Sequence, residues 1–256
     1  MKPLISLIVP VHNFKGYLAQ TIESIKNQSI NKEILEVIIL DDFSSDGSYE
    51  LLRDLARKSK IKLIKNEKNL KSHGTKNLGV TISSGEYIAL LDGDDFLENN
   101  ALEDTLEFMS RNPNVKYSYS QHRRVDGVGK FICNREGYKF SRKILLHQNI
   151  VGAIECFKRD VFSKIGGFRN VYAEDYDFSL RASEILNDSE IAQNAKILYN
   201  YRIHGNNKSF NGLEFSREST SGIIKESLKR KEGLDVDVFW SHMTEDKYNY
   251  YDWKIK

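Results

Sequence analysis

The sequence predicts an α/β fold: a mainly parallel central sheet flanked by helices, with a short C-terminal extension. Three observations carry this. Four short runs in the first half are rich in apolar and β-branched residues: 4–11 (LISLIVPV), 36–40 (EVIIL), 61–64 (IKLI) and 87–91 (YIALL). Helical patterns alternate with them, and strands apolar on both faces belong to parallel sheets covered by helices. Two of the runs end in clustered acids, Asp41-Asp42 and Asp92-Gly93-Asp94-Asp95. Open α/β sheets bind ligands at the carboxyl ends of their strands.

The elements follow in order. The first run ends in His12-Asn13, and Leu18, Ile22 and Ile25 then recur at helical spacing. Ser48 to Arg57 reads as a helix with Leu51, Leu52 and Leu55 inward, Thr75 to Ser83 as a third and Ala101 to Met109 as a fourth. Residues 115–160 mix strand-like pieces with turns such as Asp126-Gly127. Gly166-Gly167 makes a loop, Ala173 to Ile185 is helical, and 197–203 (ILYNYRI) is a strand ending in His204. Beyond Gly205 come a basic helix at Ile223 to Lys231 and an aromatic stretch, Tyr248 to Trp253. There is no internal repeat.

The chain has 256 residues, long enough for a sizeable core and suited to one large domain or a domain with an appendage. Lys plus Arg number 38 against 36 Asp plus Glu, a formal net charge of +2. That balance argues against a dedicated nucleic-acid binder. Two cysteines, Cys133 and Cys156, exclude a disulfide-rich scaffold and a Cys-built zinc site, and two reduced thiols are expected. Leu4 to Val11 is too short to span a membrane and carries no cleavage site, so a cytoplasmic location is expected.

Asp92-Gly93-Asp94 places two carboxylates two residues apart at a strand end, on the same side if the backbone is extended. A hard cation such as Mg2+ or Mn2+ takes oxygen ligands and bridges to substrate phosphates. The competing reading is a solvated turn. Asp41-Asp42 suits a nucleobase N–H or a sugar hydroxyl, while Ser45 or Asp46 can simply cap the next helix. Glu174-Asp175 fits either favourable charge at a helix start or a general base. His204 gains meaning only beside the acids. Gly74 to Gly79 has the glycine spacing of a phosphate loop but lacks the following Lys-Ser/Thr, and there is no GxGxxG, GxSxG or HExxH.

Read together, the pieces resemble the family 2 glycosyltransferases of GT-A fold, the nucleotide-diphospho-sugar transferase fold. They are Val9-Pro10-Val11-His12-Asn13, Asp41-Asp42-Phe43-Ser44-Ser45-Asp46, Gly74 with Lys76-Asn77-Leu78-Gly79, and Gly85-Glu86-Tyr87-Ile88. Asp92-Gly93-Asp94-Asp95, Gly166-Gly167-Phe168, Glu174-Asp175-Tyr176-Asp177 with Arg181, and Tyr201-Arg202-Ile203-His204 complete the order over roughly residues 4–209. The resemblance implies inverting transfer of a sugar from a nucleotide-sugar, with a UDP-sugar favoured. It implies that Pro10, His12, Asn13 and Asp42 hold the base, with Asp41 close by. Lys76 and Asn77 would stand near the nucleotide, and Asp92 and Gly93 by the ribose. Asp94 would bind the Mn2+ or Mg2+ that bridges the diphosphate, with His204 as a further ligand, and Asp175 would be the catalytic base.

His12, Phe43 and Lys76 depart from the family's frequent Tyr or Phe, Gly, and Arg. The Gln-x-x-Arg-Trp signature of processive members is absent, which favours single additions to a hydroxyl of a glycan or lipid-linked acceptor. The resemblance implies a GT-A domain over 1–205, with a nucleotide-binding half (1–110) and an acceptor half (111–205), and a helical, aromatic extension over 206–256. The extension reads as packed on the domain. Its alternative is peripheral contact with the inner face of a membrane. Both monomer and oligomer are compatible with the residues. The alternatives to a glycosyltransferase are a metal-dependent nucleotidyltransferase and an inactive sugar-nucleotide binding module.

Overall fold

The computed structural model describes residues 3–57, 59–205, 207, 213–243 and 249–255. In chain order come β1 (Ile5–Val11), α1 (Leu18–Lys26), β2 (Leu35–Asp41), α2 (Ser48–Ala56), β3 (Ile61–Lys65) and α3 (Lys71–Ile82). Then follow β4 (Tyr87–Leu90), β5 (Phe96–Leu97), α4 (Ala101–Arg111), β6 (Tyr117–Val125), β7 (Phe131–Arg135), α5 (Arg142–Leu145) and β8 (Cys156–Lys158). The chain ends with α6 (Arg159–Ile165), α7 (Glu174–Ile185), β9 (Ile191–Arg202), α8 (Leu213–Glu232), β10 (Val236–Met243) and β11 (Asn249–Ile255).

Among the described residues one nine-stranded sheet runs β3-β2-β1-β4-β8-β6-β9-β5, with β7 beside β6. β3, β2, β1 and β4 are parallel. β8 is antiparallel to both β4 and β6, and β6 is parallel to β9. Two reversals restore direction, so the carboxyl ends of β1, β2, β4, β6 and β9 share one edge.

Alternation explains why the central strands are apolar on both sides. Ile8, Ile38, Leu40, Ile88 and Leu90 face one core, against Val80 of α3, Val161 of α6 and Phe178 and Leu180 of α7. Leu7, Val9, Val37, Ile39 and Ala89 face the other, against α1, α2 and α4. Each fully buried Ile or Val contributes roughly 1.5–3 kcal/mol relative to exposure. Both cysteines are unpaired thiols, Cys156 within the core.

The second half departs from the sequence pattern. β9 begins at Ile191, six residues before the expected strand, and β6 reads YSYSQHRRV. Both bury polar residues, Ser118, Ser120, Asn194 and Asn200, so neither shows a period-two apolar pattern. Helix α3 starts at Lys71 rather than Thr75, and α8 is longer than the basic helix expected within it.

After α8 the chain forms an antiparallel hairpin instead of more helix. Tyr248 of the aromatic stretch, and Lys208 and Ser209, lie outside the described residues. Ile223, Ile224, Leu228, Val236 and Tyr251 join the same core as Tyr117 and Phe178. Tyr251 exchanges hydrogen bonds with His147, whose ring stacks on Trp253. The basic residues of α8 are held locally. Arg230 pairs with Glu184 and Glu226, Lys231 donates to the Glu184 carbonyl, and Lys225 lies 3.9 Å from Asp237. Among the described residues no helix is long and apolar enough to cross a membrane.

Candidate active site

A cleft of about 950 Å³ opens at the shared carboxyl edge. Pro10 of β1, His12 and Asn13 just after it, Asp42 just after β2, Lys76 from α3, Asp92 and Asp94 after β4, and Asp175 from α7 all line it. Thr220 and Tyr251 of the C-terminal extension line it as well.

The β1 and β2 ends are tied together. Asp42 Oδ1 accepts from Asn66 Nδ2 (2.9 Å) and the Leu70 amide (2.7 Å), which fixes the approach to α3. His12 Nδ1 donates to the Asp42 carbonyl at 2.7 Å, leaving Nε2 as the acceptor toward Asn13 and Asn69. Asn13 adopts φ 59° and its Oδ1 accepts from the Ser45 amide. Phe43, where the family frequently has Gly, also adopts a left-handed φ of 61°. Asp41 is buried outside the cleft lining, with Oδ2 accepting from the Ser44 amide and Oδ1 without a hydrogen bond among the described residues.

After β4 the acids diverge in environment. A Cβ on Gly93 would stand 2.8 Å from the Pro10 carbonyl, so glycine lets this turn lie against β1. Asp94 Oδ2 sits 3.0 Å from His204 Nε2. The His204 ring stacks on Tyr17 at 4.6 Å, and its amide donates to Asn207 Oδ1. Asp95 is buried and accepts from the Tyr199 hydroxyl and the Arg202 amide. Burial, then Asp94 and Asp92, push its carboxyl well above the usual range.

Lys76 is the electrostatic centre. Its Nζ lies 2.6 Å from Asp175 Oδ1, 3.7 Å from Glu174 and 3.8 Å from Asp92. Burial opposes its charge, yet the three carboxylates outweigh burial and hold it well above its ordinary value. Asp175 is raised to about 6: burial lifts it, Lys76 pulls it down, and Glu174 and Asp92 lift it again. A carboxylate titrating there is suited to general-base work near neutral pH.

Asn77, expected beside the nucleotide, does not line the cleft. Its amide accepts from the Phe168 N–H and donates to the Phe168 carbonyl, both at 2.8 Å. It grips the Gly166-Gly167-Phe168 loop, whose glycines both have positive φ. The neighbouring Asp177 and Arg181 are architectural too. Asp177 is fully buried between Arg169 and Arg181, and Arg181 also donates to the Ile165 and Gly167 carbonyls. This clamp sets the start of α7 and hence Asp175.

Glu155 is a site residue without a sequence signal, a single acid in the irregular region. It lines the cleft and accepts a hydrogen bond from the buried Tyr117 hydroxyl, which meets Ser179 Oγ at 3.1 Å. Burial, followed by the Asp175 charge, raises its carboxyl to about 8. A folded value above the ordinary carboxylate range contributes stability below pH 4.5 that is lost as pH rises through 8. Glu155→Gln is therefore expected to flatten the fall in Tm between pH 5 and 9, with a gain over wild type at pH 9 of at least ~4 °C relative to pH 5. Parallel Tm curves for the two proteins would refute the burial of a protonated Glu155.

The sheet order, with its ligand edge at the carboxyl ends of the strands, is that of the GT-A fold of transferases. The chain belongs to glycosyl transferase family 2, whose family model matches residues 6–166. It is 32% identical over 234 residues to the chondroitin synthase of Escherichia coli, covering 89% of this chain and 33% of that one. The chain thus spans about a third of that relative's length. Among solved structures, S. aureus TarS 1–349 in complex with UDP-GlcNAc is similar at TM-score 0.69 and 18% identity, covering 89% of this chain and 72% of that one. The mannosyltransferase PcManGT from Pyrobaculum calidifontis, in complex with GDP-Man and Mn2+, is similar at TM-score 0.67 and 16% identity, covering 90% of this chain and 64% of that one.

Proposed function

We propose that this chain moves a sugar from a nucleoside-diphosphate sugar, with uridine as the base, to a hydroxyl of a glycan or lipid-linked saccharide. Transfer inverts the anomeric centre and proceeds by single additions. The observation that carries this reading is one cleft lined by both Asp94, which pairs with His204 at the strand ends, and a raised Asp175 on α7.

Asp42 keeps Oδ2 for a base N–H, its Oδ1 already accepting from Asn66 and Leu70. Pro10, His12 and Asn13 frame the base, and Asp92 faces the ribose. Lys76 brings positive charge to the diphosphate. Among the described residues no group of three or more His, Cys, Asp or Glu could hold a metal by itself. Asp94 and His204 fit instead a two-residue clip for a cation that completes its shell with donor phosphates and water, as Mg2+ and Mn2+ do. Such a cation supplies Lewis-acid stabilisation of the leaving diphosphate.

Asp175 takes the proton of the acceptor hydroxyl as its oxygen bonds to the anomeric carbon. The bond from that carbon to the diphosphate oxygen breaks on the opposite face. No covalent enzyme intermediate is needed, and the proton leaves with Asp175. TarS with UDP-GlcNAc and PcManGT with GDP-Man and Mn2+ support donors of this chemical class.

The test is a screen of uridine, guanosine, cytidine and thymidine diphosphate sugars with Mn2+. Release of nucleoside diphosphate, fastest with a uridine donor, is the expected result. Pyrophosphate released from a nucleoside triphosphate would identify a nucleotidyltransferase instead. Donor binding with neither transfer nor hydrolysis would identify an inactive module.

A further inference from the structure

We propose that the β6 wall of the cleft, with β7 paired beside it, is an anion-binding subsite for a carboxylate or phosphate carried by the transferred sugar or by the acceptor. The inference rests on the transfer reading for who carries the anion, but not for the subsite itself.

Strand parity sorts the basic residues of β6. Arg123 points away from the cleft, pairs with Glu98 at 2.8 Å and covers the Phe131 ring. His122 and Arg124 take the opposite face and line the cleft. Arg135 of β7 stands directly across from His122 in the register. The His122 ring meets Tyr201 edge-on at 6.0 Å.

The corner is made of donors. Among the described residues Arg124 Nε is buried with no hydrogen-bond partner. So is Gln193 Nε2, which would stand 2.2 Å from a Cβ on cleft-lining Gly137. Buried N–H groups normally find an acceptor, and two unmatched donors at one wall call for an acceptor-rich ligand. Burial, then the charges of Arg124 and Arg135, push His122 down to about 4. The imidazole is therefore neutral at pH 7, and the guanidinium groups provide the positive potential.

Asp92, Asp94 and Asp175 line the same cleft, with Lys76 between Asp92 and Asp175, so the Arg124 corner is a second basic region of that cleft. A guanidinium matches carboxylate and phosphate oxygens through paired N–H donors. A hydroxyl of a neutral hexose can also accept from Arg124 Nε, but only an anion adds charge pairing with the guanidinium.

Calorimetric titration of the full chain with Mn2+ compares two pairs of probes. One pair is UDP-glucose and UDP-glucuronate. The other is a neutral disaccharide and the same disaccharide bearing a carboxylate or phosphate. Wild type is expected to bind the anionic member of one pair at least tenfold more tightly, and that pair names the source. Arg124→Gln is expected to reduce the ratio of the two Kd values to within threefold, and Arg124→Lys to leave an intermediate ratio. Equal Kd values in both wild-type pairs, or an unchanged ratio in the glutamine variant, overturn the proposal.

Nuclear magnetic resonance gives a reading independent of transfer. Glucuronate alone and inorganic phosphate alone are titrated at pH 7 against the His122 imidazole, assigned with His122→Asn. A shift in wild type that Arg124→Gln abolishes supports the subsite. No shift with either probe overturns it, even if sugar transfer is confirmed. A shift in a chain that turns over no donor sustains the subsite and overturns the transfer reading.

Discussion

Asp175→Asn is expected to lower kcat by on the order of 10³-fold while donor affinity stays within a few-fold of wild type. The amide retains the carboxylate's shape and can still accept from Lys76, which lies 2.6 Å from Asp175 Oδ1. Lys76 also keeps Glu174 and Asp92 within 4 Å, so its charge is not stranded. What disappears is the capacity to take a proton. In wild type, Asp175 must be ionised to act, so kcat/KM is expected to rise with pH through about 6, where it loses its proton. Single-turnover rates and donor titrations of the variant check the claim. A kcat within threefold of wild type would remove Asp175 from the role of base.

Asp94→Asn carries the second large effect, together with chelation. Asp94 is the carboxylate that meets His204, at 3.0 Å, so the substitution removes the anionic half of the pair. Losing cation stabilisation of the departing diphosphate costs on the order of 10²–10³-fold in rate. EDTA is expected to abolish wild-type transfer, with recovery on adding Mn2+ or Mg2+. The variant should recover only at much higher cation concentrations. Full wild-type turnover in chelator would refute the cation's part, and an unchanged metal requirement in the variant would refute Asp94 as its ligand.

The donor half of the fold was legible because its physics is local. β1, β2 and β4 are buried on both faces, so their apolar runs stand out, and the acids follow at the strand ends where a parallel sheet exposes them. The acceptor half was not. β6 and β9 bury Ser120, Asn194 and Asn200 among aromatics, which erases the periodic signal. Motif order marked Asp175, yet nothing local separated it from Asp177, which is buried in an arginine clamp. Asn77 sits one residue from Lys76, but it grips the Phe168 loop while Lys76 reaches the cleft. Glu155 acquires its raised carboxyl only when the fold buries it and brings Asp175 beside it.

Thr220 and Tyr251 stand in the cleft wall although both lie beyond the 6–166 segment that the family model covers. The cleft is thus assembled from two stretches of chain. The wall that α8 and the hairpin supply is held in place by packing on Tyr117 and Phe178. A change in that packing would therefore reach the shape of the cleft without touching any strand-end acid.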